Sequence, residues 1–122
     1  MAIQGKVTAA REPLVVLQTF PTKRKISVII DTGFSGELCL PSHLIRRMGL
    51  ERVGREAYVL ADGQIVYADI HKAEIFWFNH RRLVEVIALD TPQGLLGTQL
   101  LQACQLTVHF GKRTVNIKQG RM

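Results

Sequence analysis

No apolar run in the 122-residue chain approaches the ~18 residues a bilayer needs, which excludes a membrane-spanning helix. The opening residues, Met1 to Val7, hold no hydrophobic stretch of signal-peptide length, so secretion is not expected. Cysteine occurs only twice, at Cys39 and Cys104, both among apolar neighbours and neither in a Cys-x-x-Cys pair. So few thiols cannot frame a disulfide-rich fold. One bridge between them stays open on sequence alone, but free thiols in a reducing cytoplasm are the simpler expectation. Histidine is scattered at positions 43, 71, 80 and 109 with no pair at helical spacing, so no metal and no cofactor is expected. Ser35 lacks the glycine pattern of a nucleophile elbow.

Acidic residues are also in deficit. Sixteen Lys and Arg face ten Asp and Glu, for a net charge of +6. The basic clusters are short: Lys23 to Lys25, Arg46-Arg47, Arg81-Arg82 and Lys112-Arg113. Most fall where turns are expected, which is where solvated charge normally sits, so no nucleic-acid partner is expected. What is present is apolar residue, at 47% of the chain. That fraction excludes disorder, and the length suits one domain, 1–122, able to bury a core without disulfides or metals.

The apolar residues fall mostly in short β-rich runs. Val7–Ala10, Leu14–Phe20 and Ile26–Ile30 come first, the last apolar enough for burial on both faces. Tyr58–Leu60 and Ile65–Ile70 flank Asp62-Gly63, a strong hairpin signal. Ile75–Phe78 and Leu83–Leu89 flank a turn at Asn79 to Arg82, and Leu106–Phe110 and Thr114–Ile117 flank Gly111 to Arg113. Two helices are expected: Pro41–Met48, with Ser42 as a cap and Gly49 as a stop, and Thr98–Cys104, with Thr98 as a cap. Each follows an apolar strand ending in Asp-Thr, at Asp31-Thr32 and Asp90-Thr91. This is a weak sign of internal duplication, with chance as the alternative.

The chemistry concentrates in Val28-Ile29-Ile30-Asp31-Thr32-Gly33-Phe34-Ser35-Gly36. A carboxylate at the end of a buried strand is costly unless it is hydrogen-bonded, paired or used. Thr32 adds a hydroxyl, and Gly33 and Gly36 let the backbone turn and approach a ligand closely. A turn capped by its own aspartate is the plain alternative. A phosphoryl-accepting aspartate would need a larger α/β sheet than this chain can form.

Taken in order, Asp31-Thr32-Gly33, the Pro-led helix at Pro41 to Gly49, the hairpin at Asp62-Gly63 and Leu95-Leu96-Gly97 resemble the single-domain retropepsin-like aspartic proteases, in particular their small bacterial members. The likeness runs from about Gly5 to Ile117. It implies an all-β, closed barrel with two short helices and a homodimeric aspartic endopeptidase. One Asp-Thr-Gly per chain then requires Asp31 from each of two subunits at a two-fold axis. Two carboxylates that close share one proton: one activates a water, the other polarises the scissile carbonyl. The resemblance further implies that Thr32 braces the paired loops. Gly33 would offer its carbonyl to an extended peptide. Leu95 to Gly97 would pack under the loop, and residues 60–65 would form a flap. Substrate contacts are assigned to Gly33, Ser35, Ala61, Asp62 and Gly63. Phe34 stands where classical family members carry Ala or Ser, whereas the small bacterial members carry Asp-Thr-Gly-Phe followed by Ser or Thr and Gly, as here. Asp90-Thr91 leads to Pro92, whose lack of an N–H and fixed φ make a second catalytic loop there a poor fit.

An idle retropepsin-like binding or dimerisation module is the second reading. A basic barrel that binds nucleic acid is the third.

Overall fold

The computed structural model describes residues 2–59 and 62–120. Ten strands and one helix follow each other in the chain: β1 Ala2–Val7, β2 Pro13–Phe20, β3 Lys25–Ile30, β4 Leu38–Pro41, α1 Ser42–Met48, β5 Arg52–Val59, β6 Ile65–Trp77, β7 His80–Leu89, β8 Gly94–Leu96, β9 Cys104–His109 and β10 Thr114–Gln119. All ten strands join one sheet in the order β5-β6-β7-β4-β8-β3-β2-β1-β10-β9. A further pairing, Thr19 opposite Ile75 and Phe20 opposite Glu74, brings β2 back onto β6 and closes the six strands between them into a barrel. This is the all-β closed barrel expected from the sequence.

Alternation builds the wall. Along β2, Val15, Leu17 and Thr19 are buried while Val16 faces solvent. Along β3 the alternation gives way to burial of Val28, Ile29 and Ile30 in succession, as the unbroken apolar run required. The core gathers side chains from every part of the wall, among them Leu38, Leu40, Ile75, Val84, Leu96 and Leu100, all fully buried. Helix α1 lays Ile45 into it, with Leu44 and Met48 alongside, and stops at Gly49, whose φ of 66° is left-handed. Its N-cap is Pro41 and no side chain caps it, so Ser42 is the first helical residue rather than the cap.

The structure departs from the sequence reading in other places. Thr98 to Ala103 is a run of turns, so among the described residues there is one helix, not two. Its bonds run three residues back, Leu100 to Gly97, Leu101 to Thr98 and Cys104 to Leu101, and Ala103 at φ 59° breaks the chain into β9. The duplication therefore does not extend to a second helix. The runs at Ile65–Ile70 and Ile75–Phe78 fall in one 13-residue strand, β6, apart from Phe78, which begins the turn after it. The following turn is tighter than expected, because Phe78 and Asn79 both take positive φ, 49° and 65°. The first strand covers Ala2–Val7 instead of Val7–Ala10. Cys39 is buried, Cys104 is half-buried, and both are free thiols. No helix among the described residues is long and apolar enough to cross a membrane.

The segment from Asp31 to Glu37 leaves β3 and crosses to β4, and a second segment clasps it from below. The Asp31 N–H donates to the Leu96 carbonyl (2.9 Å), Gly97 to Glu37 (2.9 Å), Thr98 to Phe34 (2.9 Å) and Gln99 to Gly36 (3.2 Å). The approach is close enough to exclude any side chain at position 97. A Cβ there would fall on the Gly36 carbonyl oxygen and lie 2.7 Å from both the Phe34 carbonyl oxygen and its ring. Replacing Gly97 with Ala should therefore cost about 1–3 kcal/mol, read as a lowered urea midpoint, because the obstruction is backbone that cannot step aside. An unchanged midpoint would mean that the clasp gives way freely.

Candidate active site

Asp31 ends the buried β3 strand, and its backbone is held by Leu96. The side chain turns back locally: the Gly33 N–H donates to Asp31 Oδ1 (2.9 Å), while the Phe34 N–H donates to the Asp31 carbonyl (3.1 Å). One carboxylate oxygen thus has a fixed backbone donor, and the carboxyl group stays half-buried rather than sealed in the core. Thr32 and Gly33 are exposed at the turn. Asp31 and Thr32 line an open cleft of about 430 Å³ whose other walls include Arg11, Leu95, Leu106 and Val108. Leu106 and Val108 belong to β9, an end strand of the sheet, so apolar side chains and the sheet's edge flank the carboxylate.

Ser35 lies apart from this cleft. It is exposed and borders a smaller, polar hollow of about 140 Å³ with Gly36, Glu37, Glu56, Tyr58 and Glu85, on the side of the loop facing β5. There the Tyr58 hydroxyl donates to Glu56 Oε2 (3.2 Å). Burial and the neighbouring Glu56 carboxylate push the phenol up to about 12. Of the flap residues, Asp62 and Gly63 are exposed at the hairpin turn. Asp62 Oδ1 accepts the Gln64 N–H (3.0 Å), and Gly63 has a φ of 85°. Ala61 lies outside the described residues. The structure thus groups Asp31, Thr32 and Gly33 in one turn, and sets Ser35 and the flap turn apart from it.

Phe34 explains itself in packing. Its ring leaves the turn and joins Ala68, Ile70 and Ile87, with Tyr58 and Leu89 beside it, in a cluster between the loop and the flap strands. Two glycines make room. A Cβ on Gly36 would come within 2.6 Å of the ring tip, and one on Gly97 within 2.7 Å of its other edge. The large residue is thus accommodated away from the turn.

Several supporting groups were not visible from the sequence. Glu37, only 14% exposed, accepts from Arg82 (3.0 Å) and from the Glu85 N–H (3.0 Å), tying the end of the loop to β7. The Thr98 hydroxyl reaches the Phe34 carbonyl (3.4 Å). Cys39 sits behind the loop with its sulfur 4.0 Å from the Thr91 hydroxyl. Burial pushes the Cys39 thiol up, and the charge of Asp31 adds to that. An acid directly before the apolar Leu38 to Pro41 run was the one available signal for Glu37. Asp90 is exposed beyond the end of β7, and Thr91, its neighbour, packs on Cys39 rather than forming a second turn like that of Asp31.

No protein-family model and no curated protein sequence matches the chain. Solved structures do match. One is the crystal structure of a retropepsin-like aspartic protease from Rickettsia conorii, at a TM-score of 0.71 and 17% identity over 96% of this chain and 89% of the other. Another is EIAV protease complexed with the inhibitor HBY-793, at a TM-score of 0.60 and 17% identity over 78% of this chain and 89% of that one. Identity this low speaks to fold alone, and on that ground the closed barrel, with its Asp31 turn clasped by the Leu96–Gln99 segment, has the retropepsin-like fold.

Proposed function

We propose that the chain is an aspartic endopeptidase that acts as a homodimer, with Asp31 of each subunit contributing one of two carboxylates around a single water. The observation that carries this reading is the Asp31-Thr32-Gly33 turn. It stands at the end of a central barrel strand of a retropepsin-like fold, with its carboxylate opening into a cleft rather than into the core. Two such carboxylates at short range cannot both ionise, so they hold one proton between them. The ionised member takes a proton from the water as it attacks the peptide carbonyl. The protonated member donates to the carbonyl oxygen. This division of labour is the one known for aspartic proteases in general.

The exposed Thr32 would meet its counterpart across the two-fold axis and hold the paired loops level. Gly33 would present its carbonyl to the substrate backbone. The hairpin of β5 and β6, carrying Asp62 and Gly63 and with Ala61 beside them, would close over an extended peptide, and Ser35 would face the peptide's outer side chains. Support for assembly comes from β9. β10 is paired on both edges, by β1 and by β9, whereas β9, one of the two end strands of the sheet, pairs among the described residues with β10 alone. With Leu106 and Val108 beside Asp31, β9 is a natural seat for a second copy.

Sedimentation at micromolar concentration should give a dimer, and cleavage by a strict monomer would overturn the shared site. Asp31→Asn keeps the shape and removes the ionisable group. Cleavage of an unstructured protein substrate should fall by about 10²-fold or more. Affinity for a peptide bearing a hydroxyl in place of the scissile carbonyl should fall with it. Activity should peak on the acid side of neutrality, where the pair most readily holds one proton. Asp90→Asn should stay within a few-fold of the parent. A loss as deep as that of the Asp31 variant, with fold and dimer intact, would mean the carboxylate pair has been misassigned.

A further inference from the structure

Away from Asp31, the wall of the barrel has a gap. β1 pairs with β2 only at Lys6 opposite Leu14 and Val7 opposite Pro13. β6 pairs with the same edge of β2 only at Thr19 and Phe20. Between these contacts, Val15 to Gln18 have no strand partner on that edge among the described residues. Parity shows which groups are left over. The Thr19 N–H points to β3, where it donates to Arg24 (2.7 Å), so the odd residues of β2 bond toward β3. The backbone N–H and C=O of Val16 and Gln18 therefore point into the gap. The same reasoning applies to β1. The Val7 N–H donates to Arg113 (3.1 Å), on the β10 side, so Ala2 and Gln4 turn their backbone groups toward β2.

The space between the splayed strands is real. One hollow of about 370 Å³ is lined by Ile3, Val16, Gln18, Lys25, Phe76 and Asn79, among others. A second, of about 340 Å³, continues it past Gln4, Lys6 and Leu14. Neither shares a lining residue with the Asp31 cleft. Val16 is 50% exposed and Phe76 41%, so the floor is apolar and open. The charge is of one sign: the two hollows contain Lys6 and Lys25 and no carboxylate. Glu74, opposite Phe20 on β6, is already held by Arg81 Nε (2.5 Å).

We propose that this groove is a second peptide-docking site, distinct from the candidate active site, which takes an extended partner segment as an added strand on β2, the segment carrying both apolar and acidic side chains on its solvent-facing side, where Val16, Phe76, Lys25 and Lys6 all lie. The backbone groups of Val16 and Gln18 would pair with the segment in register. Val16 and Phe76 would receive its apolar side chains, and Lys25 and Lys6 its carboxylates. Such a site would hold a partner protein by one segment while leaving the Asp31 cleft open.

Amide exchange and a defined peptide test this on the whole chain. In the uncomplexed protein the Val16 and Gln18 amides should exchange much faster than those of Val15 and Leu17, although all four lie in one strand. An acetylated hexapeptide Ala-Glu-Ala-Val-Ala-Glu, which sets glutamate and valine on one face, should shift the Val16 and Gln18 amide signals and slow their exchange by about tenfold or more. The same peptide with lysine for glutamate should not. Lys25→Glu, at an exposed position, should weaken binding by about tenfold. Asp31→Asn should bind the peptide as the parent does, which separates this site from the proposed catalytic one. Three results would overturn the proposal: Val16 and Gln18 protected as strongly as their neighbours at all concentrations; peptide-induced shifts confined to the Asp31 turn and flap; or protection that appears only as the chain self-associates, which would place a second copy in the groove.

Discussion

Everything at the candidate site rests on the close approach of two backbone segments, Asp31 to Glu37 above and Leu96 to Gln99 below. Four backbone hydrogen bonds join them, and position 97 has room for hydrogen alone. Each such bond is worth only about 1 kcal/mol net. Their joint effect is positional: they fix where β3 ends, and so where the Asp31 carboxyl emerges. The same contact orders the surrounding fold. It brings β8 between β3 and β4, pairing parallel with one and antiparallel with the other, and so closes the wall at the point where the turn leaves it.

A second coupling runs from the loop to the flap. Phe34 reaches into the cluster of Ala68, Ile70 and Ile87, with Tyr58 adjoining, so one side chain of the loop is packed against the strands that carry the hairpin. Glu37 makes the corresponding polar tie to Arg82 and Glu85 on β7. Both ties require space or charge supplied from elsewhere: Gly36 and Gly97 for the ring, Arg82 and a backbone N–H for the carboxylate. An isolated change at any of these positions is felt at the Asp31 turn, although none of them lines its cleft.

The parts legible in the sequence were those with local causes. The β-rich run of β2, the apolar run of β3, the α-helix with its Gly49 stop and the Asp62-Gly63 turn are written in neighbouring residues. The ordered set of Asp31-Thr32-Gly33, helix, hairpin and Leu-Leu-Gly was enough to suggest the fold. What escaped was set by distant partners. β4 and β8 are only four and three residues long and are strands because each lies between others. Thr98 to Ala103 has helical spacing of its apolar residues, but its bonds close three residues back and Ala103, at φ 59°, turns the chain straight into β9. Ser35 sits close to Asp31 in sequence yet faces another hollow, because the tight turn reverses the chain between them. The unpaired edge of β2 had no signal in sequence, since it comes from β1 diverging toward β10.

β6 carries a mechanical consequence. Its 13 residues run without interruption from the flap turn, at Ile65, through the barrel wall to Trp77 in the core. The β5–β6 hairpin is therefore the overhanging end of a beam clamped along its other half by β7 and β2. Along β6 it has no break at its root to serve as a pivot. Opening has to be elastic bending spread over several residues, and the natural place to yield is the irregularity in β5 between Arg52 and Gly54, where the pairing with β6 slips by one residue. Stiffness at that bulge would set how far the hairpin can bend.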